Sequence, residues 1–362
     1  MKTRLIRQSL AAAATATACL WAAGPAAAQE PLKIGFVYVS PIGEAGWTWQ
    51  QDLGRKYMEQ QLGDKIQTQF VEDVPEGADA ERVIRDLAQQ GNKLIFTTSF
   101  GYMNPTIKVA KQFPDVKFVH STGYKTAPNV ATTNARFYQA RYVAGILAGH
   151  KTQTGVVGYI GAYPIPEVLQ GINAFTLGLR SVKPDATVRV IMVNSWFDPG
   201  KERDAALALL DQGADIVTHH TDSTAAVQAA EERGKWAIAY HSDMHKFGPK
   251  AQLAAVTHHW GPYFTREAKA MLDGTWKSDQ VWGGFKEGMV ALEGFGPAVD
   301  DALKADLKAK EDAIADGSLK VFSAPLKTNE GKVVLSEGAL DDKGLNAMNY
   351  YVEGVVGKLT KN

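Results

Sequence analysis

The chain has 362 residues, of which 45% are hydrophobic, 22% charged and 9% aromatic. This composition is typical of globular proteins and excludes a disordered, collagen-like or coiled-coil chain. Basic and acidic residues number 39 each, and no basic stripe indicates nucleic-acid binding. The length is sufficient for two or three domains, each with its own hydrophobic core.

Residues 1–28 have the three parts of a secretory signal peptide. Lys2, Arg4 and Arg7 supply the positive charge, Ser9 to Ala23 is apolar and alanine-rich, and the small residues of 26–28 form a cleavage site. We therefore expect export to the periplasm with cleavage after Ala28. No later stretch approaches the roughly 18 apolar residues of a membrane span.

Cys19 is the only cysteine, which excludes an intrachain disulfide and a cysteine-based zinc site. Its position raises the alternative of a lipid anchor. However, Ala16 stands where a bulky aliphatic residue is usual before a lipidated cysteine, and the apolar Leu20 and Trp21 follow it. The sequence therefore favours cleavage after Ala28 over anchoring at Cys19.

The segment that follows alternates short apolar runs with amphipathic stretches. Strands are predicted at 32–40, 66–71, 94–98 and 116–120, and helices at 47–62, 79–90 and 105–113. The rhythm restarts with helices at 137–150, 166–181, 199–211 and 223–233 and strands at 155–161, 187–193, 216–219, 236–240 and 253–258. Alternating strands and helices predict parallel sheets that helices cover on both faces.

The last hundred residues are less regular. They contain predicted helices at 263–272 and 299–316, strand-like segments at 282–292 and 319–322, and a terminal helix at 346–359. No linker rich in proline, glycine or serine separates the two α/β units. The sequence therefore predicts an α/β, two-lobe, periplasmic-binding-protein-like fold, with each lobe a parallel sheet flanked by helices and the lobes joined by crossing strands. Lobe 1 would comprise 29–133 plus about 258–284, and lobe 2 would comprise 134–257 plus about 285–362.

In open α/β sheets, ligands bind outside the carboxyl ends of the strands, so two facing lobes would form one cleft. The loops at those strand ends carry aromatic and ionisable residues. The candidate ligand-binding residues among them are Trp47, Glu44, Phe100, Tyr102, Trp196, Asp222, His241, Asp243 and Trp260. Flat aromatic faces with a few hydrogen-bonding groups suit a planar heterocycle. The alternative for any single aromatic is that it packs in the core.

Enzyme and metal sites have little support in the sequence. It contains no Gly-x-Ser-x-Gly elbow, phosphate-binding loop or His-Glu-x-x-His motif. Ser242, His241 and Asp243 are adjacent, which prevents the relay geometry of a catalytic triad. The adjacent pairs His219–His220 and His258–His259 point to opposite faces of a strand, so they do not converge on a metal ion. We expect no catalysis, no metal and no cofactor.

Several motifs in a fixed order resemble a known family. They are Lys33–Val39, Gly43–Trp47, Ala144–Gly145 within FYQARYVAGILAG, Gly158–Gly161, Ser195–Pro199, Gln212–Ala214 and Ser242–Asp243. Over most of residues 32–322, this order resembles the basic membrane protein family of ABC-transporter substrate-binding proteins, which includes purine-nucleoside receptors. The resemblance implies that Trp47, after an acidic loop with Glu44, stacks on a base, with Trp196 as a second stacking aromatic and Phe100–Met103 in the base pocket.

Two departures from the family pattern fall on the side where a ribose would bind. His241-Ser242-Asp243 replaces Asp-Ser-Asp, and His258, His259 and Trp260 stand where a basic residue is usual. An imidazole in place of a carboxylate removes an acceptor for sugar hydroxyls, and Trp260 adds bulk. We therefore expect a purine-like nucleobase as the ligand, with Asp222 or Asp243 accepting from its N–H groups.

A purine nucleoside and another small solute are the alternatives for the ligand. The resemblance also implies ABC permease subunits in the membrane as partners. We expect the protein to act as a monomer and to bind no nucleic acid.

Overall fold

The computed structural model describes residues 30–359. The predicted signal peptide and Cys19 therefore lie outside the described residues. Within 30–359, no helix is both long and apolar enough to cross a membrane.

The first half of the described chain alternates strands and helices. Its elements are β1 (Leu32–Val37), α1 (Trp47–Leu62), β2 (Ile66–Val71), α2 (Ala78–Gln89), β3 (Leu94–Thr97), α3 (Met103–Ala110), β4 (Lys117–Ser121), β5 (Val130–Ala135), α4 (Phe137–Lys151), β6 (Val156–Gly161), α5 (Pro166–Val182) and β7 (Thr187–Met192).

The second half continues the alternation and then becomes less regular. Its elements are α6 (Pro199–Asp211), β8 (Ile216–His220), α7 (Ala225–Glu232), β9 (Trp236–His241), β10 (Gln252–His258), α8 (Gly261–Leu272), β11 (Gln280–Gly283), β12 (Val290–Glu293), α9 (Asp301–Ala315), β13 (Leu326–Lys327), β14 (Val333–Leu335), α10 (Asp342–Asn346) and β15 (Val355–Val356).

Apart from β13 and β14, which pair with each other, the strands of the described chain form two large sheets. The first has the order β11-β5-β4-β3-β1-β2, and all of its strands are parallel. The second has the order β12-β10-β9-β8-β6-β7-β15, and only β12 is antiparallel to its neighbour. The chain passes between the sheets after β5, after β10 and after β11. The predicted α/β class, with parallel sheets joined by crossing segments, is confirmed, whereas the lobe boundaries stay a prediction.

The central strands are buried because helices cover both faces of each sheet. Ile34 and Phe36 in β1, and Ile238 and Tyr240 in β9, are fully buried. On one side of the core, α4 and α5 pack so closely that a Cβ on Gly145 would collide with the carbonyl oxygen of Phe175. Glycine at this crossing lets the two helix backbones approach each other.

The sequence did not predict β5. Its residues, Val130 to Ala135, are mostly small or hydroxylated and lack the apolar run of the other strands. They are nevertheless buried, because β4 and β11 lie on either side of this strand. Tertiary packing here overrides a weak local preference for strand.

The predicted terminal helix at 346–359 is wrong. The chain there forms turns after α10 and is anchored by Asn173, whose side-chain amide donates to the oxygen of Tyr350 at 2.8 Å and accepts from the nitrogen of Val352 at 3.0 Å. It then adds β15 to the edge of the second sheet, beside β7. The contact links residues far apart in sequence, so local periodicity does not reveal it.

Two further predictions of strands need correction. The predicted strand at 319–322 is wrong, because that segment forms no strand and only the isolated bridge between Ser323 and Ala339 follows it. The strand-like segment 282–292 becomes two strands in different sheets, β11 and β12, with a turn between them. The glycines in this segment mark the turn.

Candidate functional site

A narrow cavity lies where the carboxyl ends of the two sheets meet. About 30 Å³ of it admits the centre of a water molecule. Residues from both sheets line it: Val39, Trp47, Ser99, Phe100 and Thr122 from the first, and Glu167, Trp196, His220, Asp222 and His241 from the second. Each lies at or just beyond the carboxyl end of a strand, where α/β folds bind ligands.

Five of the nine predicted ligand-binding residues line this cavity. They are Trp47, Phe100, Trp196, Asp222 and His241. Sequence reasoning therefore selected aromatic and ionisable residues that the fold brings together. Whether they bind a ligand stays a prediction.

The other four predicted residues do not line the cavity. Glu44 is exposed and pairs with Lys246, and Tyr102 is buried with its hydroxyl donating to the oxygen of Val74. Asp243 and Trp260 border a separate depression on the other side of the start of α1. The Asp243 carboxylate accepts from its own chain, from the nitrogen of His245 at 2.9 Å and from Gln252 Nε2 at 2.7 Å.

Trp47 is fixed at the first turn of α1. It is 8% exposed, and its indole Nε1 donates to the oxygen of Thr98 at 2.6 Å. Its ring meets the His241 ring edge to face, with the centroids 5.3 Å apart. Because the indole is buried on its other sides, the face that borders the cavity is held in one orientation.

Asp222 joins the two sides of the cavity. Its carboxylate accepts from Ser40 Oγ and from the backbone nitrogen of Trp47, and so caps α1 from the opposite lobe. A Cβ on Gly46, whose φ is 98°, would collide with Asp222. Burial raises the pKa of Asp222 to about 7, and the hydrogen bonds from Ser40 and Trp47 only partly offset this.

Further bonds hold the walls together. The nitrogen of Gly46 donates to Ser242 Oγ at 2.7 Å. At the mouth of the cavity, Glu76 accepts from Trp196 Nε1 at 3.2 Å and from Ser99 Oγ at 2.6 Å. The structure therefore shows a closed arrangement in which loops of the first sheet bond directly to loops of the second.

Glu167 is a cavity residue that the sequence reasoning missed. It is the second residue of α5, and its side chain is 13% exposed. Burial raises its pKa to about 8. Its Oε1 lies 3.6 Å from His220 Nε2, and its Oε2 has no hydrogen-bond partner among the described residues. An acidic residue directly after the strand-end loop 161–166 is the signal that could have found it.

Buried histidines line the cavity at His220 and His241 and continue behind it with His258. His258 Nδ1 lies 2.7 Å from Trp260 Nε1, and His258 Nε2 lies 3.0 Å from His241 Nδ1. Burial, with charged and imidazole neighbours as smaller causes, holds the pKa values of His220, His241 and His258 well below the usual range. Among residues 30–359, no group of three or more His, Cys, Asp or Glu is arranged to hold a metal.

Two cavity residues carry backbone strain. Thr122 has φ 66° and His241 has φ 69°, a left-handed conformation that side chains other than glycine adopt rarely. Thr122 directly follows β4, and His241 is the last residue of β9. Strain at such positions is typical of functional sites, where the surrounding structure holds a side chain in one direction.

Known proteins resemble this chain over most of its length. A protein named purine-binding protein from Brucella abortus (strain 2308) is 56% identical over 337 residues, which cover 93% of this chain and 96% of that protein. A protein named putative ABC transporter glucose-binding protein from Haloferax volcanii is 37% identical, over 91% of this chain and 82% of that protein.

A solved structure shows the same fold. The ABC transporter system solute-binding protein from Aeropyrum pernix K1 has a TM-score of 0.68 at 17% identity, and the match covers 82% of this chain and 93% of that chain. The two-lobe, periplasmic-binding-protein-like architecture is therefore confirmed. Residues 32–321 match the Bmp family model, described as ABC transporter substrate-binding protein PnrA-like. The chain therefore belongs to the Bmp family, whose members bind small-molecule ligands for ABC transporters and are not enzymes.

Proposed function

We propose that this protein captures a purine-like nucleobase in the cavity between its lobes and presents it to the permease of an ABC importer. The observation that carries the proposal is the narrow cavity bordered by Trp47 and Phe100 on one side and Trp196 on the other. Closure of the lobes around the ligand would create the form that the permease subunits recognise.

A planar ring fits the shape of this cavity. Only about 30 Å³ admits the centre of a water molecule, as expected for a thin space between two walls. Stacking of a base on an aromatic side chain contributes roughly 1–3 kcal/mol. Trp47 is well placed for stacking, because its burial and its hydrogen bond to Thr98 hold its ring in one orientation.

The polar groups of the cavity suit the edge of a purine. The ring offers N–H donors and in-plane nitrogen acceptors, and Glu167, His220 and His241 stand on one wall. Glu167 Oε2 has no partner among the described residues, and a buried polar atom without a partner costs free energy that a ligand would recover. The 56% identical relative is named a purine-binding protein, which supports the same ligand class here.

A free base is favoured over a nucleoside. Trp260 and His258 are each 1% exposed, and with His241 they fill the side on which the resemblance places the ribose. No carboxylate takes the place of His241 to accept from sugar hydroxyls. A nucleoside stays the alternative within the same family.

A small sugar is a second candidate. The 37% identical relative is named a putative glucose-binding protein. Sugar hydroxyls could bond to the same carboxyl and imidazole groups, so a binding measurement with both bases and sugars distinguishes the two ligand classes.

We further propose export to the periplasm after cleavage at Ala28, and action as a monomer. Bmp-family proteins are periplasmic or extracellular solute-binding proteins, which supports export. Mass spectrometry of the protein recovered from the periplasm tests the cleavage site, since a mature chain that begins at Gln29 is expected. A lipid-modified chain that begins at Cys19 would contradict it.

A thermal-shift screen followed by calorimetry tests the proposed ligand. The panel contains adenine, guanine, hypoxanthine, xanthine, their nucleosides, glucose and ribose. A ligand that binds only the folded protein raises its melting temperature. We expect shifts with free bases. Shifts with nucleosides alone would replace the base by a nucleoside, and shifts with sugars alone would overturn the stacking proposal.

A further inference from the structure

A chain of hydrogen bonds runs from a buried indole to the wall of the cavity. Trp260 Nε1 lies 2.7 Å from His258 Nδ1, and His258 Nε2 lies 3.0 Å from His241 Nδ1. The three side chains are between 1% and 4% exposed. His241 ends β9 and lines the cavity, and its Nε2 has no protein partner among the described residues.

The chemistry of the first member determines the protonation of the others. An indole N–H can only donate, so His258 Nδ1 must accept. A protonated His258 would place two hydrogens between Trp260 Nε1 and His258 Nδ1, where there is room for one. His258 is therefore neutral, and its hydrogen is on Nε2. His258 Nε2 therefore donates to His241 Nδ1. By the same reasoning His241 is neutral, and its hydrogen is on Nε2.

Burial supports these neutral states. The pKa of each of the two histidines lies well below the usual range, chiefly because burial disfavours the charged ring, with the nearby Arg141 cation as a smaller cause. Arg141 is itself fully buried and donates to Thr218 Oγ1 at 3.0 Å and to the oxygen of His219 at 2.6 Å.

We propose that the relay Trp260–His258–His241 fixes His241 Nε2–H as a hydrogen-bond donor at the cavity wall, and that the site therefore selects ligands with an in-plane acceptor. A ring nitrogen or keto oxygen of a purine is such an acceptor. Trp260 and His258 act through His241 and are positioning residues. The selection of the ligand rests on the proposed function, whereas the tautomers of the histidines do not.

The relay also gives a physical meaning to a departure from the family pattern. The resemblance implies a carboxylate at position 241, which accepts hydrogen bonds. His241 with its hydrogen on Nε2 donates instead, so the polarity of this position is reversed. A carboxylate at this position would bind a hydroxyl or N–H group of the ligand. The His241 Nε2–H binds a lone pair of the ligand instead.

Nitrogen NMR of the full mature chain, with ¹⁵N-labelled histidine at pH 7 and no ligand, tests the tautomers. We expect both His258 and His241 to carry hydrogen on Nε2, with signals assigned from the single variants His258→Gln and His241→Gln. Trp260→Phe removes the indole N–H and should change the ¹⁵N pattern of both rings. Trp236→Phe, at the opposite end of β9 from His241, is the control and should change neither.

Hydrogen on Nδ1 of His258 or His241 in the wild-type protein would overturn the relay. That readout needs no ligand, so it stands even if no purine binds and the proposed function fails.

Calorimetry with adenine and with hypoxanthine tests the selection. His241→Leu removes the donor, and we expect it to weaken binding of whichever base the wild-type protein binds by more than fivefold. His241→Gln keeps an N–H donor and should stay within fivefold of the wild-type protein. Binding by His241→Leu within fivefold of the wild-type protein would overturn the selection of an in-plane acceptor, even with the tautomers as expected.

Discussion

The two walls of the cavity differ in chemistry. The wall from the first sheet consists of Val39, Trp47, Ser99, Phe100 and Thr122, which carry no ionisable group. The wall from the second sheet carries Glu167, His220, Asp222 and His241 beside Trp196. The difference indicates a division of labour, in which the first wall supplies a flat surface for stacking and the second supplies the groups that recognise the edge of the ligand.

Removing the stacking surface should have the largest effect. Trp47→Ala deletes the ring that the hydrogen bond to Thr98 holds in place, and we expect binding of the ligand to weaken more than tenfold, in line with about 1–3 kcal/mol per stacked base. Calorimetry measures the change. Trp49→Ala, on the same helix and beside the separate depression, is the matched control and should bind within about twofold of the wild-type protein. An unchanged dissociation constant for Trp47→Ala would remove this residue from the site.

Separating the walls should have the next largest effect. A Cβ on Gly46 would collide with Asp222, so Gly46→Ala pushes the loop after β1 away from the second lobe. We expect binding to weaken about tenfold, because overpacking in a closely packed region typically costs about 1–3 kcal/mol and a tenfold loss of affinity is about 1.4 kcal/mol. Small-angle scattering of the ligand-bound protein should show a larger radius of gyration.

Gly43→Ala is the matched control for this loop. Gly43 also has a positive φ, of 59°, but a Cβ there lies no closer than 4.0 Å to its neighbours. Equal losses of affinity in the two variants would show that backbone strain, and not contact with Asp222, is responsible.

Changes at the recognition wall should be smaller and should depend on chemistry. Glu167→Gln keeps the shape and a hydrogen-bonding carbonyl, whereas Glu167→Leu keeps the volume alone. We expect Glu167→Leu to weaken binding of a purine at least threefold more than Glu167→Gln does, because the Oε2 atom is free of protein partners in the described chain. Equal affinities for the two variants would place the carboxyl outside the binding site.

The pH dependence of the free energy of unfolding tests the burial of the Glu167 carboxyl. Its pKa is raised to about 8 in the folded protein, so between about pH 4.5 and 8 the folded chain keeps a proton that the unfolded chain loses. This group therefore lowers stability as pH rises through that window. Glu167→Gln lacks the effect, and its melting temperature relative to the wild-type protein should increase from pH 5 to pH 8. A constant difference across that range would show that Glu167 is ionised normally.

The sequence was sufficient to locate most of the stacking surface. Trp47 and Trp196 follow strands with clear apolar runs, so their place at the carboxyl ends of the sheets could be predicted. Glu167 was missed because it lies inside a predicted helix, where an acidic residue in the first turn usually has only a local role. Trp260 was predicted to contact the ligand; in the structure it contacts His258 and does not line the cavity, so direct contact with a ligand stays a prediction.

The errors in the predicted strands and helices arise from contacts between distant parts of the chain. The sequence between 130 and 135 becomes a strand because two other strands flank it. The segment after Asn346 forms turns and a short strand instead of a helix, and Asn173 binds its backbone. Similarly, Asp222 accepts a hydrogen bond from Ser40 in the loop after β1, although the two residues are 182 positions apart in sequence. Local periodicity contains no information about such pairings.

A crystal structure of the mature protein with the purine that gives the largest thermal shift tests the division of labour between the walls most directly. We expect the ring in the cavity, its face against the Trp47 indole and its edge toward Glu167 and His241 Nε2. A ring that binds outside the cavity, or one that turns its edge toward Trp47 and its face toward Glu167, would contradict the account.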